Sequence, residues 1–205
     1  MVKQYAFYYD STSCSGCKTC QMACKDKNSL EVGRKWRRVY EVSGGEWGQT
    51  GNTWIPNVYA YHISMGCNHC EHPICLEVCP SQAIHKRKDG IVLIDQNKCV
   101  GCEYCSLACP YGAPQYHKQA GKMSKCDFCY DYIDQGKSPA CVDACPMRVL
   151  EFGELNELIA KYGKSDDISP LPASSLTTPS LVISPHKDSR KAASHSCQVA
   201  NREEV

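Results

Sequence analysis

Seventeen of the 205 residues are Cys, and sixteen of these stand in four quartets whose spacing suits metal ligation. The first is Cys14, Cys17, Cys20 and Cys24; the second is Cys67, Cys70, Cys75 and Cys79, followed by Pro80. The third is Cys99, Cys102, Cys105 and Cys109, followed by Pro110, and the fourth is Cys126, Cys129, Cys141 and Cys145, followed by Pro146. Only Cys197 is left over. The third quartet follows the run C-x2-C-x2-C-x3-C-P residue for residue, in which three thiolates hold one cubane iron–sulfur cluster and the fourth reaches its neighbour. The reason is reach. Three closely spaced thiolates wrap three corners of a small cube, while the fourth, further along a helical turn, points away from it. Zinc more often uses two separated knuckles, and a third Cys so near is surplus to a tetrahedral ion. A disulfide framework fits worse, because the total is odd and the pairs are too close in sequence to join distant parts.

The quartets are of two kinds, which indicates an internal duplication. Quartets one and three share an Asp four residues before the first Cys (Asp10, Asp95), a C-x-G-C opening (Gly16, Gly101) and the same tight spacing. Quartets two and four share a Pro two residues before the third Cys (Pro73, Pro139) and a Cys-Pro ending. Each two-cluster unit therefore takes one of each kind. Quartets two and three are adjacent, and between them Ala83–Lys86 and Ile91–Ile94 read as strands around an Asp89-Gly90 turn. Quartets one and four then form an outer unit, with Tyr5–Tyr9 and Val149–Phe152 as its paired strands. The exchange rule fixes the expected ligand sets. Cluster one takes Cys14, Cys17, Cys20 and Cys145; cluster two takes Cys126, Cys129, Cys141 and Cys24. Cluster three takes Cys67, Cys70, Cys75 and Cys109; cluster four takes Cys99, Cys102, Cys105 and Cys79. The expected cofactors are four [4Fe–4S] clusters.

The fold class that follows is α+β, with two intertwined 2[4Fe–4S] ferredoxin-like units, a β-rich insertion and an extended C-terminal arm. Residues 1–33 and 120–163 make the outer unit, 34–64 the insertion, 65–119 the inner unit and 164–205 the arm. In the insertion Trp36, Arg38, Tyr40 and Val42 alternate before Gly44-Gly45, and Asn57–Ser64 reads as a second strand. Its aromatic residues are expected to serve ordinary packing, with a partner-facing role as the alternative. A short amphipathic helix is expected at 154–162. The arm cannot fold alone; it is either disordered or, as its spaced apolar residues Leu171, Leu176, Leu181, Val182 and Ile183 suit, a strap laid over another subunit.

Composition excludes several functions. The hydrophobic share is 42 %, and the 17 Cys are a large part of it. The ordinary core is thin, so bound metal has to act as the staple. The longest aliphatic run is Ile91–Ile94, far short of the roughly 20 residues of a membrane helix. The start shows no secretory leader, and Arg37-Arg38, mid-chain with no apolar stretch behind it, is not a twin-arginine leader. With 23 Lys+Arg against 22 Asp+Glu, the net charge of +1 gives no electrostatic case for nucleic acid.

Four such quartets, one pair nested within the other, resemble the four-cluster iron–sulfur subunits of molybdopterin oxidoreductases. Within that group the protein is similar to the electron-transfer subunits of the dimethyl sulfoxide reductase family. The likeness runs from QYAFYYDSTSCSGCKTCQMACKD through the Trp-containing insertion and CPYGAPQY to PLP and TTPSLVISP in the tail. The resemblance implies a non-catalytic subunit that relays electrons from a membrane anchor oxidising menaquinol to a molybdopterin catalytic subunit reducing dimethyl sulfoxide or related S- and N-oxides. It implies an order from cluster four through three and two to one. It implies peripheral attachment to the bacterial cytoplasmic membrane, on the periplasmic side if the protein is exported with a twin-arginine partner. Some relatives carry Trp at the second Cys of quartet three and hold a three-iron cluster; Cys102 implies four irons here. The alternatives are the equivalent subunit of a polysulfide, thiosulfate or formate enzyme, a stand-alone polyferredoxin and a structural zinc protein.

Smaller features complete the expectations. Backbone N–H groups around Gly16 and Gly101 are expected to donate to sulfur. Lys18, Lys98 and Lys125 flank ligands and could raise cluster potentials, against the simpler reading of solvated charges. His69 and His72 are expected to be structural, and Cys197 a free thiol.

Overall fold

The computed structural model describes residues 3–165, 167–189 and 197–205. Strand β1 (Tyr5–Asp10) leads through quartet one into helix α1 (Thr19–Lys27). The insertion supplies β2 (Arg38–Gly44), β3 (Trp47–Thr50), β4 (Thr53–Pro56) and β5 (Tyr59–Met65). There follow α2 (Ile74–Glu77), β6 (Ile84–Lys86), β7 (Val92–Ile94), α3 (Tyr104–Ala108), β8 (Gln115–His117) and β9 (Lys122–Ser124). The backbone continues through α4 (Tyr130–Ile133), α5 (Ala140–Asp143), β10 (Leu150–Glu154), α6 (Leu155–Tyr162), β11 (Leu181–Ser184) and β12 (Cys197–Val199). The result is a mixed α and β protein with several small sheets.

β1 is the central strand of one sheet, antiparallel to β10 with Tyr5 opposite Glu154 and Tyr9 opposite Leu150. The two ends of the quartet-bearing region meet here. Because β1 is covered on both faces it carries Ala and aromatic side chains from Tyr5 to Tyr9, as a doubly buried strand must, and turns polar at Asp10. Phe7 and Tyr9 enter the main core, while Ala6 and Tyr8 meet α6. On α6, Leu155, Leu158, Ile159 and Tyr162 recur at helical spacing and make one apolar stripe. Tyr8 and Tyr162 stack with ring centroids 3.6 Å apart. β6 and β7 form the expected hairpin, Ile84 opposite Ile94.

In the insertion β2 pairs antiparallel with β5, Arg38 opposite Met65 and Gly44 opposite Tyr59. Arg37 and Val39 are buried, whereas Trp36, Arg38 and Tyr40 of the expected alternation are half-buried. β3 and β4 form an unanticipated hairpin between them, although Gly51-Asn52 between Thr50 and Thr53 is a two-residue turn signal. Trp47 and Trp54 on it are each 59 % exposed, so these aromatic side chains do not serve the core.

The arm also departs from expectation, because it lies on its own polypeptide. β11 adds to β1 as a parallel third strand, Phe7 opposite Leu181, and buries Leu181, Val182 and Ile183. β12 adds to the outer edge of β2, Val199 opposite Val42. Leu171 packs against the main core, and Leu176 stays exposed. An unpaired edge of β1 beside an apolar segment is a vacant hydrogen-bonding template, and intramolecular pairing fills it. Residues 166 and 190–196 of the arm lie outside the described residues.

Candidate iron–sulfur ligand sites

Each C-x2-C pair is bent into the same loop. The second residue after the first Cys has positive φ in all four quartets: Gly16 at 70°, His69 at 43°, Gly101 at 71° and Phe128 at 63°. That left-handed step turns the two thiols toward one side. Gly101 is required for space as well as for φ, since a Cβ there would stand 2.2 Å from the Gly121 carbonyl oxygen. After the last Cys of quartets two, three and four the Cys-Pro ending leads to a second left-handed residue, Gln82, Gly112 or Arg148, which reverses the backbone. Quartet one has Lys25 instead of Pro and continues along α1.

Three cavities are each lined by four thiols drawn from two quartets. At site one Cys14, Cys17, Cys20 and Cys145 meet with Val39, Ser64 and Leu150 around about 300 Å³ of empty space. At site three Cys67, Cys70, Cys75 and Cys109 meet with His69, Tyr111, Lys125 and Thr177 around about 380 Å³. At site four Cys79, Cys99, Cys102 and Cys105 meet with Ile84, Ile94 and Met123 around about 290 Å³. Each holds three thiols of one quartet and the last of another, which suits one kind of group in all three. At site two Cys24 on α1 lies within electrostatic range of Cys129 and of Cys141 on α5, and Cys126 lies within range of Cys24. All four thiols there are buried.

The donor set and its surroundings fit an iron–sulfur cluster. Burial, reinforced by neighbouring thiols, pushes Cys24 and Cys75 up to about 12 and Cys129 to about 11, and Cys126 well above the usual range. Burial likewise carries Cys70 and Cys105 to about 11. Such thiols stay protonated at neutral pH until a metal cation displaces the protons. Cys17 moves the other way, lowered chiefly by its hydrogen bond from the Thr19 hydroxyl at 3.3 Å. At Cys79 burial is outweighed by hydrogen bonds from Ser81 and from the Ala83 N–H, the latter at 3.3 Å. Backbone N–H groups of Met123 and Phe128 donate to Cys99 and Cys126 at 3.3 and 3.4 Å. Gly16 and Gly101 supply the left-handed step of their loops, and beside Gly16 the Cys17 and Thr19 N–H groups help to lower the Cys17 thiol.

The other singled-out residues divide by environment. Lys98 is exposed, and Lys18 is part-exposed and pairs with Glu204, so both are solvated charges. Lys125 is buried. His69 is buried with Nδ1 accepting from the Val92 N–H at 3.0 Å, whereas His72 is exposed and supplies a backbone N–H to Thr177 O. Cys197 is a free thiol. Sequence reasoning missed Arg37, which is buried among Cys20, Cys24, Cys126 and Cys141. The available signal was the buried phase of the alternation through β2, which puts Arg37 beside Val39.

Comparison with known proteins accords with the site. The 4Fe-4S dicluster domain family matches residues 58–155, which hold quartets two, three and four. The protein is 49 % identical to the B subunit of the anaerobic dimethyl sulfoxide reductase of Escherichia coli (strain K12) over 205 residues, covering 100 % of both. It is 47 % identical to the corresponding B subunit of Haemophilus influenzae, again over the full length of both. It is 35 % identical to a thiosulfate reductase electron transfer subunit of Salmonella typhi over 158 residues, 77 % of this protein and 79 % of that one. With the cysteine quartets, these full-length identities establish that the protein belongs to the family of dimethyl sulfoxide reductase B subunits, which are iron–sulfur electron-transfer subunits, and is not itself catalytic.

Proposed function

We propose that the protein carries four [4Fe–4S] clusters and relays electrons from a quinol-oxidising membrane anchor to a molybdopterin catalytic subunit that reduces dimethyl sulfoxide or a related S- or N-oxide. The observation that carries this is the lining of sites one, three and four, where three thiols of one quartet meet the last thiol of another. That is the exchange expected of two-cluster ferredoxin units. Cys24, Cys126, Cys129 and Cys141 would hold the remaining cluster. Sites one and two then form the outer ferredoxin-like unit (1–33 with 120–163) and sites three and four the inner one (65–119), the insertion (34–64) and the arm (164–205) bracing them.

When bound, each cluster supplies a one-electron station, within a range of roughly −700 to +450 mV that net charge, hydrogen bonds to sulfur and burial adjust. The polypeptide's own part is to hold sixteen thiols at the right corners, exclude water from the inner sites and leave an opening at the outer ones. Cys17 at site one and Cys102 at site four are the exposed thiols. Exposed Val100, Tyr104 and Leu107 surround Cys102 in sequence, an apolar rim suited to a membrane-embedded partner, and exposed Met147 lines site one. No helix among the described residues is long and apolar enough to cross a membrane. Peripheral attachment through the anchor follows, on the periplasmic side if the catalytic partner brings the export signal.

Anaerobic preparation should yield about sixteen iron and sixteen acid-labile sulfide per polypeptide, together with a copurifying molybdenum subunit. Values well below that, or a colourless zinc-loaded protein, would overturn the proposal. Substrate-dependent reoxidation of a reduced dye by the complex identifies the acceptor.

A further inference from the structure

Two cations lie inside the protein with no carboxylate beside them. Arg37 is 3 % exposed, and its Nη1 donates to Ser64 O at 3.3 Å and to Ser64 Oγ at 3.2 Å. Its guanidinium lies over the Phe7 ring, 4.7 Å from the centroid. The thiols that act on its charge are Cys20 of site one and Cys24, Cys126 and Cys141 of site two. Lys125 is 4 % exposed and donates from Nζ to the carbonyls of Val92 and Cys126. The thiols that act on it are Cys67 and Cys75 of site three and Cys126 of site two. Neither residue makes an ion pair with a carboxylate among the described residues.

A buried cation whose hydrogen bonds all go to neutral acceptors is heavily penalised unless an anion lies close by. Here the compensating anions would be the clusters, because four thiolates outweigh the positive charge of the iron–sulfide core. The two cations also occupy different places along the row of sites. Arg37 touches the surroundings of sites one and two, and Lys125 those of sites two and three.

On the four-cluster reading above, we propose that Arg37 and Lys125 are fixed counter-charges at the two inner junctions, Arg37 setting the potentials of clusters one and two and Lys125 those of two and three. Reduction makes a cluster more negative, and a cation in a low-dielectric interior stabilises that form more than the oxidised one. The same charge screens the repulsion that an electron on one cluster exerts on the next. Cluster four, beside the exposed Cys102 and Lys98, relies on solvent instead. Both residues act on the clusters by their charge, Lys125 also through a side-chain hydrogen bond to Cys67, and neither ligates iron.

The test is a redox titration followed by EPR on the intact complex, with signals assigned by single cysteine replacements. Arg37→Gln should lower the midpoint potentials of clusters one and two by at least the 59 mV that corresponds to a tenfold shift in a one-electron couple. Lys125→Gln should do the same to clusters two and three. Cluster four should not move in either variant, and cluster two should move in both. Arg37→Lys and Lys125→Arg, which keep the charge, should hold potentials near wild type. Where the glutamine variants do not assemble, assembly of the charge-keeping pair at wild-type potentials supports the proposal, and failure of that pair overturns it. Potentials unchanged in assembled glutamine variants, or all four shifted equally, would also overturn it. Iron and sulfide on the same preparations separate the two levels. About sixteen of each with unmoved potentials sinks only the counter-charge role, and a wild-type protein well below that sinks the four-cluster reading and this inference with it.

Discussion

Sites one and four differ from sites two and three at one equivalent position. The second residue of the C-x2-C loop is Gly16 or Gly101 at the former and Phe128 or His69 at the latter, yet all four share the left-handed backbone. Sites one and four each have an exposed thiol, Cys17 or Cys102, whereas the thiols of sites two and three are buried or half-buried. The Phe128 and His69 rings meet edge to face with centroids 5.2 Å apart, and Phe128 also lies 4.2 Å from Phe7. A side chain in a left-handed conformation costs about 1–3 kcal/mol. Burying a Phe contributes about 1.5–3 kcal/mol, enough to offset that strain. The ferredoxin-type loop thus tolerates either residue, and the choice decides whether the site is capped by aromatic core or left open.

The comparison is tested most severely at the ligands. Cys126→Ser removes a buried thiol from the middle of the core, and loss of most bound iron, with little folded protein recovered, is expected. Cys102→Ser acts at an exposed corner, so the expected outcome is a protein that assembles and shows a three-iron EPR signal at that one site. Equal losses of iron and sulfide in the two variants would break the distinction between open and enclosed sites.

The loop residues come next. Phe128→Ala should destabilise the assembled protein by about 3–5 kcal/mol, the usual cost of deleting a buried Phe, and speed oxidation of site two by an added oxidant. Gly101→Ala should cost about 1–3 kcal/mol from the left-handed backbone alone, with the Cβ also forced against the Gly121 carbonyl, and its effect should stay at site four. Denaturant midpoints of the loaded protein report the first quantity, and EPR during oxidant exposure reports the second.

Much of this arrangement was legible from residue spacing. The duplicated quartets and their flanking apolar runs pointed to the β1 and β10 pairing across most of the sequence, because the local pattern around each Cys set repeats. The β6 and β7 hairpin followed from Asp89-Gly90. The arm was recognisable as a strap, but spaced Leu, Val and Ile residues carry no label for the surface they cover, and only the unfilled edge of β1 decides it. The exposed β3 and β4 hairpin contradicts the rule that Trp side chains are buried. Arg37 was missed for a different reason: its phase matches that of buried Val39, but hydropathy places arginine outside.

The arm contributes to the enclosed character of site three. Glu71 and His72 donate backbone N–H groups to Thr178 O and Thr177 O, and Ser180 Oγ donates to His69 O at 2.9 Å. Thr177 is 2 % exposed, and its Oγ1 accepts from the Cys70 thiol at 3.2 Å. An iron-bound sulfur has no proton, so in the loaded site the Thr177 hydroxyl becomes the donor. Thr177→Val keeps the shape and removes that donor. A hydrogen bond contributes about 0.5–1.5 kcal/mol net, which at about 59 mV per tenfold corresponds to a fall of about 20–65 mV in the cluster-three potential. Cluster four should stay where it is in the same titration.

The smallest effect separates solvated from buried charge. Lys18 stands beside Cys17, but it is part-exposed and paired with Glu204. Coulomb effects at such a position are screened over about 10 Å at 0.1 M salt and about 3 Å at 1 M, and surface pairs contribute little. Lys18→Gln should therefore lower the cluster-one potential by less than Arg37→Gln does, and the difference from wild type should fade as salt rises to about 1 M. The Arg37→Gln shift should persist, because ions do not enter the space between sites one and two. A Lys18 effect as large as that of Arg37 and equally insensitive to salt would show that proximity to a ligand, and not burial, is what lets a cation act on these sites.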